Sequence, residues 1–113
     1  MIKVIGLIRR NPELTQEEFV EFWKKVHVPL IKKCIPGLVR YVGNFPIGVT
    51  ANSGTKASEY DAIIELGFDS ISSMEAAMSS PAFQSDERTI SSAKLMDLSR
   101  TESIVVEEIV IPV

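Results

Sequence analysis

His27 is the only histidine in 113 residues, and it follows the only tryptophan, Trp23, by four positions. Four residues is close to one helical turn, so in a helix the two side chains lie one above the other. The imidazole has two readings. It is a partly buried residue that bonds a carbonyl and orients its helix, or it is a general acid/base or axial ligand projecting into a pocket beneath that helix. Position alone favours the first. Cys34 lies two helical turns beyond His27, about 10 Å away; that is too far for a nucleophile pair, and Cys34 is read as buried packing. One His and one Cys cannot build a structural zinc site. No Gly-rich phosphate loop, Walker lysine or dinucleotide fingerprint occurs. Glu65 stands in mid-strand, where charge is depleted. It is a solvated residue, a salt-bridge partner across a subunit contact, or a pocket acid. Arg9 and Arg10 either end a strand as solvated charges or grip an anion.

The element that must position His27 spans residues 15–34, TQEEFVEFWKKVHVPLIKKC. Thr15 and Glu18 form a capping-box pattern. Phe19, Phe22, Trp23, Val26, Leu30 and Cys34 recur at helical spacing and predict the buried face. Glu17 and Glu18 suit the positive end of the dipole, and Lys32 and Lys33 the negative end. Pro36-Gly37 stops the helix. Pro29 falls inside it and predicts a kink or irregular turn after Val28, since a residue before proline avoids the α region.

Composition bounds the rest. One domain, residues 1–113, is expected from the length. Hydrophobic residues are 45% of the chain, enough for a core, and mean hydropathy is +0.15. That is high for a small monomer and hints at an apolar surface buried in a partner. A net charge of -3 with pI near 5.2 argues against nucleic-acid binding. The single Cys permits no intrachain disulfide, the chain opens on IKVIGLI without a leader pattern, and no apolar run reaches membrane-spanning length. A cytoplasmic protein with no membrane partner is expected.

The remaining segments read as strands at 2–8, 37–47, 60–68 and 103–113. Helices are expected after Asp69-Ser70 and across 82–96, with Phe83, Ile90, Ala93 and Leu95 as candidates for burial. Residues 48–58 form a loop that either connects strands plainly or lids a pocket. Gly43 suggests a bulge or a close backbone approach. The order β-α-β-β-α-β is the ferredoxin-like α+β arrangement, a four-stranded antiparallel sheet with its helices on one face. Two helices cover one face, yet strands one and four are apolar on both. An exposed face of that kind is rare in monomers, so a two-fold dimer with facing sheets, a closed α+β barrel, is expected.

Several separated motifs resemble the EthD family of dimeric α+β barrel proteins, across nearly the whole chain. They are IKVIGLIRR, LTQEEFVEFWKKVHVPLIKK, PGLVRY, and YDAIIELGFDS followed by SSPAF. The most specific is F-xxx-W-xxx-H-xP, here Phe19, Trp23, His27 and Pro29. The resemblance implies a homodimer with a small apolar pocket between sheet and helices, and His27 pointing into it. It also implies a place among barrels that include cofactor-free monooxygenases, dehydratases, decarboxylases, lactone isomerases and haem-degrading enzymes. The family's namesake is needed alongside an ether-degrading cytochrome P450 system.

Three functions follow as expectations. The first is a cofactor-independent enzyme, oxidoreductase- or lyase-like, acting on a small hydrophobic or aromatic metabolite. His27 would be its acid/base, Trp23, Tyr41, Tyr60 and Phe83 would be walls, and Glu65 or Asp97 would orient the imidazole. The second is a non-catalytic accessory protein of an oxygenase. The third is haem binding with His27 as axial ligand, ranked last because no arginine cluster stands out.

Overall fold

In the computed structural model, which describes residues 1–113, the capping box forms as the spacing predicts. Thr15 Oγ1 accepts from the Glu18 N–H at 3.1 Å, and the Thr15 N–H donates to Glu18 Oε1 at 2.9 Å. Helix α1 follows at Gln16–Phe22, then a π-helical segment at Trp23–His27, then α2 at Val28–Cys34. The irregular turn therefore lies before Val28, not after it, and Val28 itself is α-helical. The cause is Pro29. In a regular helix its ring meets the carbonyl four residues back, and it offers no N–H. The widened turn, in which the Val28 N–H reaches Trp23 O, lies just ahead of the proline. A π turn holds one more residue than an α turn, and this one re-phases the buried face. His27 is 5% exposed, whereas Val26, expected on the apolar face, is 48% exposed.

Strands β1 (Ile2–Ile8), β2 (Arg40–Asn44), β3 (Ala62–Phe68) and β4 (Glu102–Glu107) form one antiparallel sheet in the order β2-β3-β1-β4. Helix α3 spans Ile71–Met78 and α4 spans Asp86–Leu95, each begun by a serine side chain that accepts from a first-turn N–H. This is the ferredoxin-like α+β fold. Strand β4 is shorter than expected because Glu107 already pairs with Ile2, where β1 begins; after the Glu108 N–H, which donates to Met1 O at 2.9 Å, residues 109–113 have no strand beside them to pair with. Strand β2 ends before Pro46, and Gly43 keeps regular register rather than bulging.

Alternation along the strands separates two faces. Val4, Gly6, Ile8, Ile64 and Leu66 face the helices. Ile5, Leu7, Val42, Ile63, Ile104 and Val106 share the opposite face, where Ile63 is 41% and Ile104 is 56% exposed. On that outer face the buried Lys3 ammonium binds Glu65 and Glu108. On the helical side the core falls into two clusters. One gathers Leu30, Ile31, Cys34, Ile35, Phe68 and Ala77; the other gathers Ile8, Phe19, Ala62 and Leu95. Between them the helix layer leaves a gap.

Candidate functional site

That gap is a cavity of about 280 Å³, near the lower end for ligand sites. Its floor is the β1–β3 centre, and Gly6 adds no side chain there. Ile31, Trp23 and His27 enter from the first helical segment, Leu95, Ser92 and Arg88 from α4, and Phe83 from the turn before it. Toward β4 the lining gains the polar Thr101, Glu102 and Ser103, and exposed Leu98, Glu102 and Ser103 make this side the mouth.

His27 reaches the cavity because the π segment turns it inward. Its Nδ1 lies 2.9 Å from Ser91 Oγ, a buried contact, while Nε2 has no partner within the chain and opens on the cavity. Burial, with a smaller contribution from the Arg88 charge, pushes its pKa down to about 4. The ring is therefore neutral at pH 7, because protonating it would place a poorly solvated charge beside another cation.

Trp23 packs edge-to-face on Tyr41 and Phe45, with centroids at 5.6 and 5.2 Å. Gly43 permits this placement: a Cβ there would come within 2.5 Å of the indole. The indole N–H is sealed and has no partner of hydrogen-bond geometry. The Tyr41 oxygen is near enough for that N–H to oppose the upward shift that burial imposes on the phenol.

Of the residues expected to form the site, His27, Trp23, Tyr41 and Phe83 come together around the cavity. Tyr60, Glu65 and Asp97 do not line it. Tyr60 sits under Arg9, at 5.7 Å, beside Glu102, whose carboxylate raises the phenol pKa. Glu65 points to the opposite face, where Lys3 and then Asn44 hold its carboxyl below the usual range. Asp97 accepts from Ser99 N and Oγ and caps the short 3-10 turn at Leu98–Arg100. Neither acid can orient the imidazole; Ser91 does.

Ser91 and Arg88 are the residues that sequence reasoning missed. Helix α4 was expected to bury Ile90 and Ala93, but both are exposed, and Ser91, Ser92 and Leu95 are buried instead. Counting from the Ser85 cap places Arg88, Ser91, Ser92 and Leu95 on one stripe, a signal masked by its polarity. Arg88 stacks on the Phe83 ring at 4.1 Å. Its Nε donates to Phe83 O at 2.6 Å and its Nη1 to Ser92 Oγ at 3.3 Å. No carboxylate pairs with it. No group of His, Cys, Asp and Glu side chains forms a metal-binding cluster. No helix is long and apolar enough to cross a membrane.

The chain matches no curated protein sequence. Solved structures share its fold. An EthD family protein from Bacillus halodurans is 25% identical, with 96% of this chain and 99% of that one covered at a TM-score of 0.67. A dimeric ferredoxin-like protein from Thermobifida fusca is 21% identical, with 93% and 88% covered and a TM-score of 0.57. A candidate antibiotic biosynthesis monooxygenase from Nitrosomonas europaea is 12% identical, with 97% and 100% covered and a TM-score of 0.61. The family model for the EthD domain matches residues 11–97, a span that contains Trp23, His27, Tyr41, Phe83 and Arg88, and the chain belongs to the EthD family.

Proposed function

We propose that this chain, acting as one domain, is a homodimeric, cofactor-independent enzyme on a small hydrophobic or aromatic metabolite, with His27 as the acid/base group at the reacting centre. One observation carries the reading. His27 is buried and neutral, is held through Nδ1, and keeps Nε2 free in a mostly apolar cavity of about 280 Å³. Unfilled interior space forfeits packing contacts, so a gap at the centre of the fold is better explained by an occupant. The likeness to a candidate monooxygenase supports an oxidoreductase within this class. The uncovered apolar sheet face and the dimeric ferredoxin-like relatives support the homodimer.

A second reading, a non-catalytic carrier supporting an oxygenase, draws on a different observation. Ser91 is the only chain partner of the imidazole, and Glu65 and Asp97 lie elsewhere. Haem ligation through His27 ranks third.

The test is thermal shift of the full chain against a panel of small aromatics, followed by mass spectrometry for turnover. Binding should be lost in Ile64→Trp, which fills the cavity. The enzyme reading expects His27→Gln to bind without turnover. Binding without turnover in the native protein supports the carrier, and a Soret shift abolished by His27→Ala supports haem ligation. Panel binding that survives Ile64→Trp refutes the cavity as the site.

A further inference from the structure

The contact between Ser91 and His27 fixes more than ring orientation. A hydroxyl carries one proton, and when buried that proton needs an acceptor. Ser91 is 6% exposed, and its only hydrogen-bond partner is His27 Nδ1. Two arrangements exist. If Nδ1 carried the ring proton and donated to Ser91 Oγ, the Ser91 O–H would be buried without an acceptor and its desolvation would go uncompensated. If Ser91 donates to Nδ1, both atoms of the contact are satisfied and the ring proton sits on Nε2, left for a cavity occupant. The second arrangement wins. In this resting tautomer His27 is a neutral N–H donor toward whatever occupies the cavity, and it acts as a base there only when the ring proton passes from Nε2 to Nδ1.

Arg88 supplies the second half. Its guanidinium is held in place by Phe83 O, Ser92 Oγ and the Phe83 ring, and it lines the same cavity. Two of its donor nitrogens are engaged within the chain, and the third, Nη2, is not. A partly buried cation without a counter-ion is costly. The sheet's acids do not answer it: Glu65 and Glu108 bind Lys3 on the far face, and Glu102 at the mouth makes no ion pair with it.

We infer that the cavity is an oxyanion site, built for a small apolar molecule that carries a negatively charged oxygen, a phenolate, enolate or carboxylate. That oxygen sits between the His27 Nε2–H and the open edge of the Arg88 guanidinium. This rests on reading the cavity as a ligand site and names the ligand's chemistry. Fixed donors in a water-poor cavity stabilise such a charge without reorganising, and a neutral imidazole donor avoids placing a second cation beside Arg88. The same tautomer opposes haem ligation, which needs a lone pair on Nε2.

Two measurements test it. The chain has one histidine, so ¹⁵N NMR of the labelled protein at neutral pH reports a single imidazole. The expected spectrum has a protonated Nε2 and an unprotonated Nδ1, and Ser91→Ala should release that preference. A protonated Nδ1 in the native protein overturns the tautomer assignment. Calorimetry then compares benzoate with benzamide, and 4-nitrophenolate with nitrobenzene. Hydrogen bonds to charged groups lead us to expect each anion to bind roughly tenfold or more tighter than its neutral partner. Arg88→Met should erase the preference while keeping neutral binding, and Arg88→Lys should restore part of it. The benzoate and nitrophenolate arms separate a carboxylate site from a phenolate one. Neutral binding with no anion preference overturns the oxyanion inference and leaves the cavity reading standing; no binding by any of the four probes brings down both.

Discussion

The lowered pKa of His27 makes a stability prediction that a single-histidine chain can test cleanly. In the unfolded chain the imidazole titrates near 6.5; in the fold, burial and then Arg88 push it down to about 4. Between those values the unfolded state binds a proton that the native state refuses, so stability falls with falling pH. The contribution of His27 is fully present above pH 6.5, is lost progressively down to about pH 4, and changes no further below that. At about 1.4 kcal/mol per pH unit the loss approaches roughly 3 kcal/mol. Because the side chain is 5% exposed, solvent screening removes little of it. The perturbation is His27→Gln, which keeps an amide for Ser91 but cannot titrate. Urea unfolding from pH 7 to 4.5, at fixed protein concentration, should show the native protein losing about 2–3 kcal/mol more than the variant. The variant serves as the blank for carboxylates such as Glu65, Glu108 and Glu21, whose pKa values are also lowered and whose losses come at more acid pH. Parallel pH dependence in the two proteins would falsify the buried, neutral imidazole. An NMR titration of the ring with a midpoint near 6.5 would do the same.

Four further predictions concern the frame around the site and the outer sheet face. Gly43→Ala puts a methyl 2.5 Å from the Trp23 ring and 2.8 Å from Phe45; it should cost about 1–3 kcal/mol in urea denaturation and red-shift the tryptophan emission as the ring is displaced. Thr15→Ala removes one half of the capping box and should cost about 1 kcal/mol while leaving affinity for small aromatics unchanged. Phe19→Ala, at a fully buried position, should cost about 3–5 kcal/mol by the same assay. Ile104→Glu, on the outer sheet face, should shift sedimentation from dimer to monomer; an unchanged sedimentation coefficient would count against two sheets meeting there.

Much of the frame was legible in the chain because its signals are local. Thr15 and Glu18 are three residues apart, Pro36-Gly37 ends a helix where it stands, and β3 alternates residue by residue. The F-xxx-W-xxx-H-xP motif carried the family. Pro29 announced an irregular turn but not its side: whether a helix kinks after a proline or widens before it depends on what the neighbouring sheet accepts.

The site itself was only partly written in the sequence. The helical spacing of Trp23 and His27 is a local fact. The partner of His27 is not, because Ser91 is 64 residues away and reaches the ring only once α4 is laid across the first helix. Glu65 shows the same limit: alternation assigned it to a face, but only the pairing of β1 with β3, which brings Lys3 beside it from 62 residues away, decided that this face points away from the cavity. Arg88 is an unremarkable surface residue by composition and a cavity residue by helix phase. Local patterns in the chain carry the elements, their order and the placing of His27 on the first helix. Which polar groups meet His27 is settled only by packing, since a hydrogen bond between distant segments leaves no periodicity in either of them.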